Sequence, residues 1–297
     1  MSVALPPGVQ ALAARGPDWA AWVDRLPRLV RDLLAEWALT VDGEPLHRGA
    51  ALVLPVRDGH DRAAVLKVQR PDDESEHEHL ALQHWHGDGA ALLLRADPHR
   101  AALLLERLHP VDLTDHWDLE ACEVVAGLYA RLHVPAPPRL RPLTAHVERW
   151  TTALADLPRD APVPHRMVEQ AVALGRGFLA DPASTGTMIH SDLHYGTVLA
   201  ADREPWLAID PRPLSGDPHY EVAPLLWNRW DELDGDVRGG VRRRFHTTVD
   251  AAGLDEDRAR DWVVVRVLGN VVAALGEREP DGDWITRCVS IAKAVQD

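Results

Sequence analysis

The sequence predicts an α+β protein in two lobes: an N-terminal antiparallel sheet with a helix, followed by a mostly helical C-terminal part. Three observations lead there. Short β-like runs at 51–56, 63–68, 90–94 and 101–105 gather in the first third of the chain. After Pro110 the apolar residues recur at helical spacing instead. The chain has 297 residues, which is long for a single core. The join is expected near 106–110, giving an N-terminal lobe over 1–108 and a C-terminal lobe over 109–297.

Taken in order, residues 18–39 read as an amphipathic helix, with Trp19, Trp22, Val23, Leu26, Leu29, Val30, Leu33, Leu34 and Trp37 on helical spacing. Pro27 should kink or break it, because proline removes a backbone donor and crowds the preceding turn. Turn signals at Asp58-Gly59 and Asp97-Pro98 separate some of the β runs that follow. Between the second and third runs, 73–85 is rich in Glu and His, carries Leu82 and Trp85, and reads as a helix. The second lobe should hold helices at 119–132, 144–157, 165–179, 237–251, 257–275 and 284–295. Only 188–189, 198–200 and 206–209 interrupt them with β character.

A net charge of −14 argues against a nucleic-acid partner, which would need a basic face. It is compatible with a cationic substrate. No apolar run approaches the roughly 20 residues that span a bilayer, so no membrane partner is expected. The N-terminus lacks the pattern of a signal peptide. Cys122 and Cys288 are far apart in apolar surroundings, which fits a reducing cytoplasm rather than a disulfide framework.

The densest chemical signal is His190-Ser191-Asp192-Leu193-His194-Tyr195-Gly196-Thr197, set between two β-like runs. A further short apolar run, Trp206-Leu207-Ala208-Ile209, ends in Asp210. Singly, either aspartate reads as a turn or cap residue. As a pair at the ends of neighbouring strands, they can converge on one cleft. Phosphoryl transfer uses that arrangement: one carboxylate orients the attacking hydroxyl and takes its proton, and another binds the Mg²⁺ on the triphosphate.

Lys67 adds to this. Lys67 and Lys293 are the only lysines among 32 basic residues, so a lysine kept inside Val65-Leu66-Lys67-Val68 needs a reason. A lysine on such a strand contacts nucleotide phosphates in kinase-like folds and pairs with a helix glutamate. Glu78 is the best partner, since it shares a helix face with Leu82 and Trp85. The loop around Gly49, in His47-Arg48-Gly49-Ala50-Ala51, offers backbone N–H groups to the phosphates. Neither G-x-x-x-x-G-K-[ST] nor G-x-G-x-x-G occurs.

These motifs, with Pro211-Arg212-Pro213-Leu214, Gly216-Asp217-Pro218 and the segment 220–228, resemble the aminoglycoside/hydroxyurea antibiotic resistance kinase family, which includes streptomycin 6-phosphotransferases. The similarity reaches back to 103–108 and 76–82 and covers most of the chain after residue 45. The resemblance implies a two-lobed protein-kinase-like fold and ATP with Mg²⁺ as cofactors. It further implies transfer of the γ-phosphate to a hydroxyl of a small molecule, an aminoglycoside-type antibiotic such as streptomycin. By position it makes Asp192 the base, Asp210 a metal ligand, Lys67 the phosphate contact and Glu78 its partner. Glu106 to Leu108 would form the hinge whose backbone holds the adenine. The chain departs from the family pattern at Ser191, where the family has Gly, and at Thr197, where it has a metal-binding Asn. The second departure raises an alternative, a nucleotide-binding pseudokinase with weakened turnover.

Other groups read differently. His190, Asp192 and His194 have the spacing of a zinc cluster but lack a completing motif. His77, His79, His84 and His86 read as a solvated helix face. Asp217 should be structural, Trp227 and Trp230 should lie in the core of one helix, and the acidic run 231–236 could draw a cationic substrate.

Overall fold

In the computed structural model, which describes residues 4–233 and 235–296, the chain divides into two units, one ending at His109 and the other beginning at Pro110. The N-terminal unit starts with helix α1 (Pro7–Ala11) and then α2 (Pro17–Glu36), which has Pro17 at its first turn, where a missing N–H costs nothing. Strands β1 (Thr40–Val41), β2 (Leu46–Arg48), β3 (Ala51–Arg57) and β4 (Ala63–Gln69) follow. Helix α3 (Glu78–Trp85) and strands β5 (Leu93–Asp97) and β6 (Ala102–Glu106) complete the unit. Among the described residues these strands form a six-stranded antiparallel sheet in the order β1-β3-β4-β6-β5, with β2 also paired to β3.

Residue alternation explains how this sheet is covered. Leu52, Leu54 and Val56 lie opposite Val68, Leu66 and Ala64, and the last of these rows continues to Leu104 and Ala102 on β6. All of them share one buried cluster with Trp22, Val23, Leu26, Val30 and Leu33 of α2. Helix α2 therefore covers one face of the sheet. Of the kink or break expected at Pro27, the break does not occur: the helix runs through it as one element. Its apolar stripe is anchored on both sides of the proline, and that burial outweighs the lost hydrogen bond.

Two further expectations shift. The helix expected over 73–85 begins only at Glu78. Before it, Asp72 folds the chain into a turn, accepting from both the backbone N–H (2.8 Å) and the hydroxyl (2.6 Å) of Ser75. The strand expected over 90–94 lies at Leu93–Asp97. Asp97 then caps the turn Pro98–Arg100.

The C-terminal unit contains α4 (Asp118–Leu132), β7 (Val134–Pro135), α5 (Leu143–Ala155), α6 (His165–Ala180), β8 (Thr187–Ile189), β9 (Val198–Ala200), β10 (Trp206–Ala208) and β11 (Leu214–Gly216). It ends with α7 (Ala223–Trp227), α8 (Val237–Ala252), α9 (Glu256–Leu275) and α10 (Gly282–Gln296). Helix α9 is buried all round over 262–269, as the middle of a central helix should be, and Val263, Val264, Val267 and Val271 join α6, α8 and α10 in one core. A side chain at Gly269 would collide with the Trp150 ring of α5, so glycine permits that close approach. Trp227 and Trp230 do not share a helix: α7 stops at Trp227, and Trp230 opens a separate turn. No helix of the described residues is long and apolar enough to cross a membrane.

Candidate active site

Two short sheets position the motif over 190–197 of the second unit. Strand β8 pairs with β7 and β11, and β9 pairs with β10. The first sheet sets Ile189 opposite Leu214, and the second sets Val198 opposite Ala208. The loop over 190–197 and the loop over 209–213 are therefore neighbours by register. Hydrogen bonds stitch them together. The Ile209 N–H donates to the Thr197 carbonyl (2.9 Å), and the Arg212 N–H donates to the His190 carbonyl (3.0 Å). Asp192 sits in the first loop and Asp210 in the second, so the tertiary structure brings these two segments side by side.

His190 is fully buried and works as a clamp. Its Nε2 lies 3.0 Å from the Ile209 carbonyl, and the Asp192 N–H reaches its Nδ1 at 3.3 Å. That pattern requires the Nε2–H tautomer. Burial holds the imidazole pKa below its ordinary value, against the opposing pull of Glu221, Asp192 and Asp210. His190 is thus a neutral ligand of the backbone.

Ser191 and Asp210 both have left-handed backbones, at φ 62° and φ 56°. Such conformations are costly for residues other than glycine and persist where the surroundings enforce them. At Ser191 the enforcement is visible. Its N–H donates to the buried Glu221 carboxylate, and its carbonyl accepts from the Arg266 guanidinium. Its hydroxyl donates to the Arg212 carbonyl at 2.5 Å. Burial alone would raise the pKa of Glu221, but His133 at 3.2 Å and the Ser191 N–H together hold it below the ordinary value. Arg266 also donates to the Tyr220 carbonyl (2.9 Å) and lies 4.0 Å over the Tyr220 ring.

Thr197 is buried, and its hydroxyl is engaged within the loop. It accepts from the His194 N–H (2.9 Å) and lies 3.0 Å from the Asp192 carbonyl. Those contacts use its proton and one lone pair. His194 caps the same turn through its Nδ1, 3.1 Å from the Gly196 N–H. The oxygen donors fit Mg²⁺ in the manner usual for nucleotide-bound metal, with one or two carboxylates and the substrate phosphates completing the sphere. Asp210 is the carboxylate that the second of these loops carries. Among the described residues no group of three or more His, Cys, Asp and Glu side chains converges as a metal cage.

Asp217 ties the following segment down. It accepts from the His219 N–H (3.0 Å), the Trp262 indole (2.7 Å) and Arg258. Although desolvation opposes it, these donors keep its pKa below the usual carboxylate value. The Tyr195 hydroxyl reaches Asp118 (3.1 Å), which the fully buried Arg244 also grips at 2.9 Å.

In the first unit, Lys67 faces away from α2, level with Val53 and Leu103. Its ammonium lies 2.7 and 2.8 Å from the two Glu78 oxygens, and both residues are buried. Gly49 occupies a two-residue turn between β2 and β3 with φ 55°, and open space surrounds the position of its missing Cβ. Glu106 ends β6, and its carboxylate accepts from the Leu92 N–H at 2.7 Å. Leu108 follows it, half-buried.

Sequence reasoning left Glu221, Arg266, His133 and Arg212 without a role. Arg266 had a signal, a lone cation in the apolar run Val263-Val264-Val265-Arg266-Val267-Leu268, the same kind that singled out Lys67. Glu221 stands beside apolar Val222 and Ala223 in the same way.

Comparison with known proteins identifies the family. Residues 36–276 match the model of the aminoglycoside/hydroxyurea antibiotic resistance kinase family. The chain is 41% identical to a streptomycin 6-kinase of Streptomyces glaucescens, over 91% of this chain and 90% of the relative. It is 40% identical to a hydroxyurea phosphotransferase of Kitasatospora aureofaciens, over 87% of this chain and 78% of that one. Among solved structures, a thermostable mutant of the aminoglycoside phosphotransferase APH(4)-Ia, in a ternary complex with ADP and hygromycin B, superimposes with a TM-score of 0.59. The match covers 89% of this chain and 97% of that one at 17% identity, which speaks to the fold.

Proposed function

The chain belongs to the aminoglycoside/hydroxyurea antibiotic resistance kinase family and is a phosphotransferase with an alcohol acceptor, and we propose that it transfers the γ-phosphate of ATP, with Mg²⁺, to a hydroxyl of a cationic aminoglycoside of the streptomycin type. The observation that carries the mechanism is the stitching of the Asp192 loop to the Asp210 loop.

In this reading Asp192 accepts a hydrogen bond from the acceptor hydroxyl, aligns it, and takes its proton as the oxygen attacks. His190 fixes the Asp192 backbone, so the carboxylate starts from a set position. Asp210 is the metal residue, with the remaining lone pair of Thr197 as the second oxygen. When bound, Mg²⁺ offsets the charge of the triphosphate. Lys67, oriented by Glu78, contacts the nucleotide phosphates, the Gly49 turn offers them backbone N–H groups, and Glu106 to Leu108 contact the adenine.

Cationic acceptors are favoured by a cavity of about 290 Å³ in the second unit, whose lining includes Thr114, His194, Asn228, Arg229, Asp231 and Glu232. Arg229 pairs with Glu232 at 2.6 Å, which leaves Asp231 as the carboxylate outside that pair. Asp234, in the same acidic run, lies outside the described residues.

A coupled ADP-release assay with streptomycin, other aminoglycosides and hydroxyurea tests the proposal. Streptomycin-dependent ADP release is expected, and Asp192→Ala should lower kcat by a factor on the order of 10²–10⁴. Nucleotide binding without ADP release on any of these acceptors would favour the pseudokinase. Full activity of the Asp192 variant would remove that residue from the mechanism.

A further inference from the structure

Arg212 stands two residues after Asp210, yet its side chain serves the other loop. Its Nε lies 3.3 Å from Oδ2 of Asp192. The backbone that carries it is held at both ends, the N–H on the His190 carbonyl at 3.0 Å and the carbonyl under the Ser191 hydroxyl at 2.5 Å. Half of the side chain remains exposed, at 51%. A structural ion pair at this spot would have little to stabilise, since exposed pairs contribute little to folding. The arrangement instead places a cation against one chosen oxygen of the proposed base.

We propose that Arg212 is a positioning residue for phosphoryl transfer: it binds Oδ2 of Asp192 and so presents Oδ1 to the acceptor hydroxyl. This rests on the assignment of Asp192 as base. A carboxylate on a flexible side chain samples rotations that carry both oxygens away from the line of attack. A guanidinium anchored on one oxygen removes most of that freedom, and small errors in alignment can cost about a hundredfold in rate. In the step served, the acceptor O–H proton passes to Asp192 and the acceptor oxygen bonds to the γ-phosphorus. The bond from that phosphorus to the bridging oxygen breaks, and its electron pair leaves with ADP. Arg212 gains and loses no proton. It also couples the two loops, because the residue that follows the proposed metal carboxylate by two positions sets the orientation of the base.

The test compares the parent with Arg212→Ala and Arg212→Lys, each also in an Asp192→Asn background. ADP release is followed with Mg²⁺–ATP and streptomycin, and with water as the acceptor in the absence of streptomycin. Arg212→Ala should lower kcat by about ten- to a hundredfold with the KM for ATP changed less than about threefold. Its melting temperature should stay near that of the parent, because the side chain is half exposed. Arg212→Lys should recover part of kcat, and added guanidinium ion should restore part of the Arg212→Ala loss. In the Asp192→Asn background the arginine substitution should add less than about a twofold loss, since residues acting as a unit are not additive.

An equal loss in both backgrounds, a change confined to the KM for ATP, or a faster Arg212→Ala enzyme would each overturn the proposal while leaving the kinase reading intact. An Asp192→Asn enzyme with parental kcat would overturn the base assignment and this proposal with it. A parent that releases no ADP with either acceptor would do the same.

Discussion

Lys67 in the first unit and Ser191 in the second are both buried and both hold an uncomfortable position, but they are supported in different ways. Lys67 meets its counter-charge eleven residues away, and the pair is made within one strand and one helix. Ser191 is gripped by Glu221, Arg212 and Arg266, which are 30, 21 and 75 residues distant. The first arrangement is a charge pair that the local sheet-and-helix unit completes by itself. The second is a strained backbone whose support arrives from α9 and from the segments on both sides of β11. A local pair fails when either partner is lost. A distributed clamp should weaken in steps.

The sharpest way to break this contrast is Lys67→Met. It leaves Glu78 buried without its ammonium, which should cost roughly 3–5 kcal/mol in denaturant unfolding. The double variant Lys67→Met/Glu78→Leu should recover most of that stability, because an apolar pair of similar volume often substitutes for a buried ion pair. It should not recover ADP release. Recovery of both would leave Lys67 with a purely structural role.

Glu221→Gln tests the distributed clamp and should cost about 1–3 kcal/mol at neutral pH, as it removes a charged acceptor from Ser191 and His133. The pH dependence has a definite sign. The folded-state pKa of Glu221 lies below 4.5, so its contribution is complete above that value and is lost as the pH falls through the folded-state pKa. The gap in melting temperature between parent and variant should therefore narrow as the pH drops below about 4.5. A gap that stays constant into acid would mean that the Glu221 charge is not what holds the loop.

Thr197→Asn should lower the Mg²⁺ concentration needed for half-maximal turnover several-fold. An asparagine can donate to the Asp192 carbonyl through its amide and still present its oxygen to the metal, whereas the threonine hydroxyl divides one oxygen between loop and metal. A raised or unchanged requirement would place the metal away from position 197. The smallest effect is expected for Ser191→Gly. Relief of a left-handed backbone, worth about 1–2 kcal/mol, opposes loss of the hydroxyl bond to Arg212, worth about 0.5–1.5 kcal/mol. Unfolding should move by less than about 1 kcal/mol either way, and a larger loss would show that the hydroxyl dominates that clamp.

Much of this molecule was legible in one dimension. The long helices of the second unit lie within two residues of where apolar periodicity put them, and β3, β4 and β6 fall where the β-like runs stand. Each depends on a repeat of side chains along a few turns or a few pleats, which neighbouring residues suffice to specify. The misreadings share one cause. Whether a helix survives Pro27 depends on how firmly the sheet holds Leu26 and Val30, and whether α3 starts at 73 or 78 depends on where Asp72 can fold back. Those are contests between local preference and contacts made elsewhere.

The sequence by itself singled out the residues to which the proposed chemistry is assigned: one lysine kept in an apolar strand, a glutamate within reach of it, and two aspartates at strand ends. It did so because charged groups in apolar runs are costly and so rarely accidental. Only the tertiary structure decided how Asp192 is held, through His190, Ser191, Glu221, Arg266 and Arg212. Those residues meet across up to 75 positions of chain, and no periodicity along the backbone records which distant carboxylate or guanidinium will close on a given peptide group.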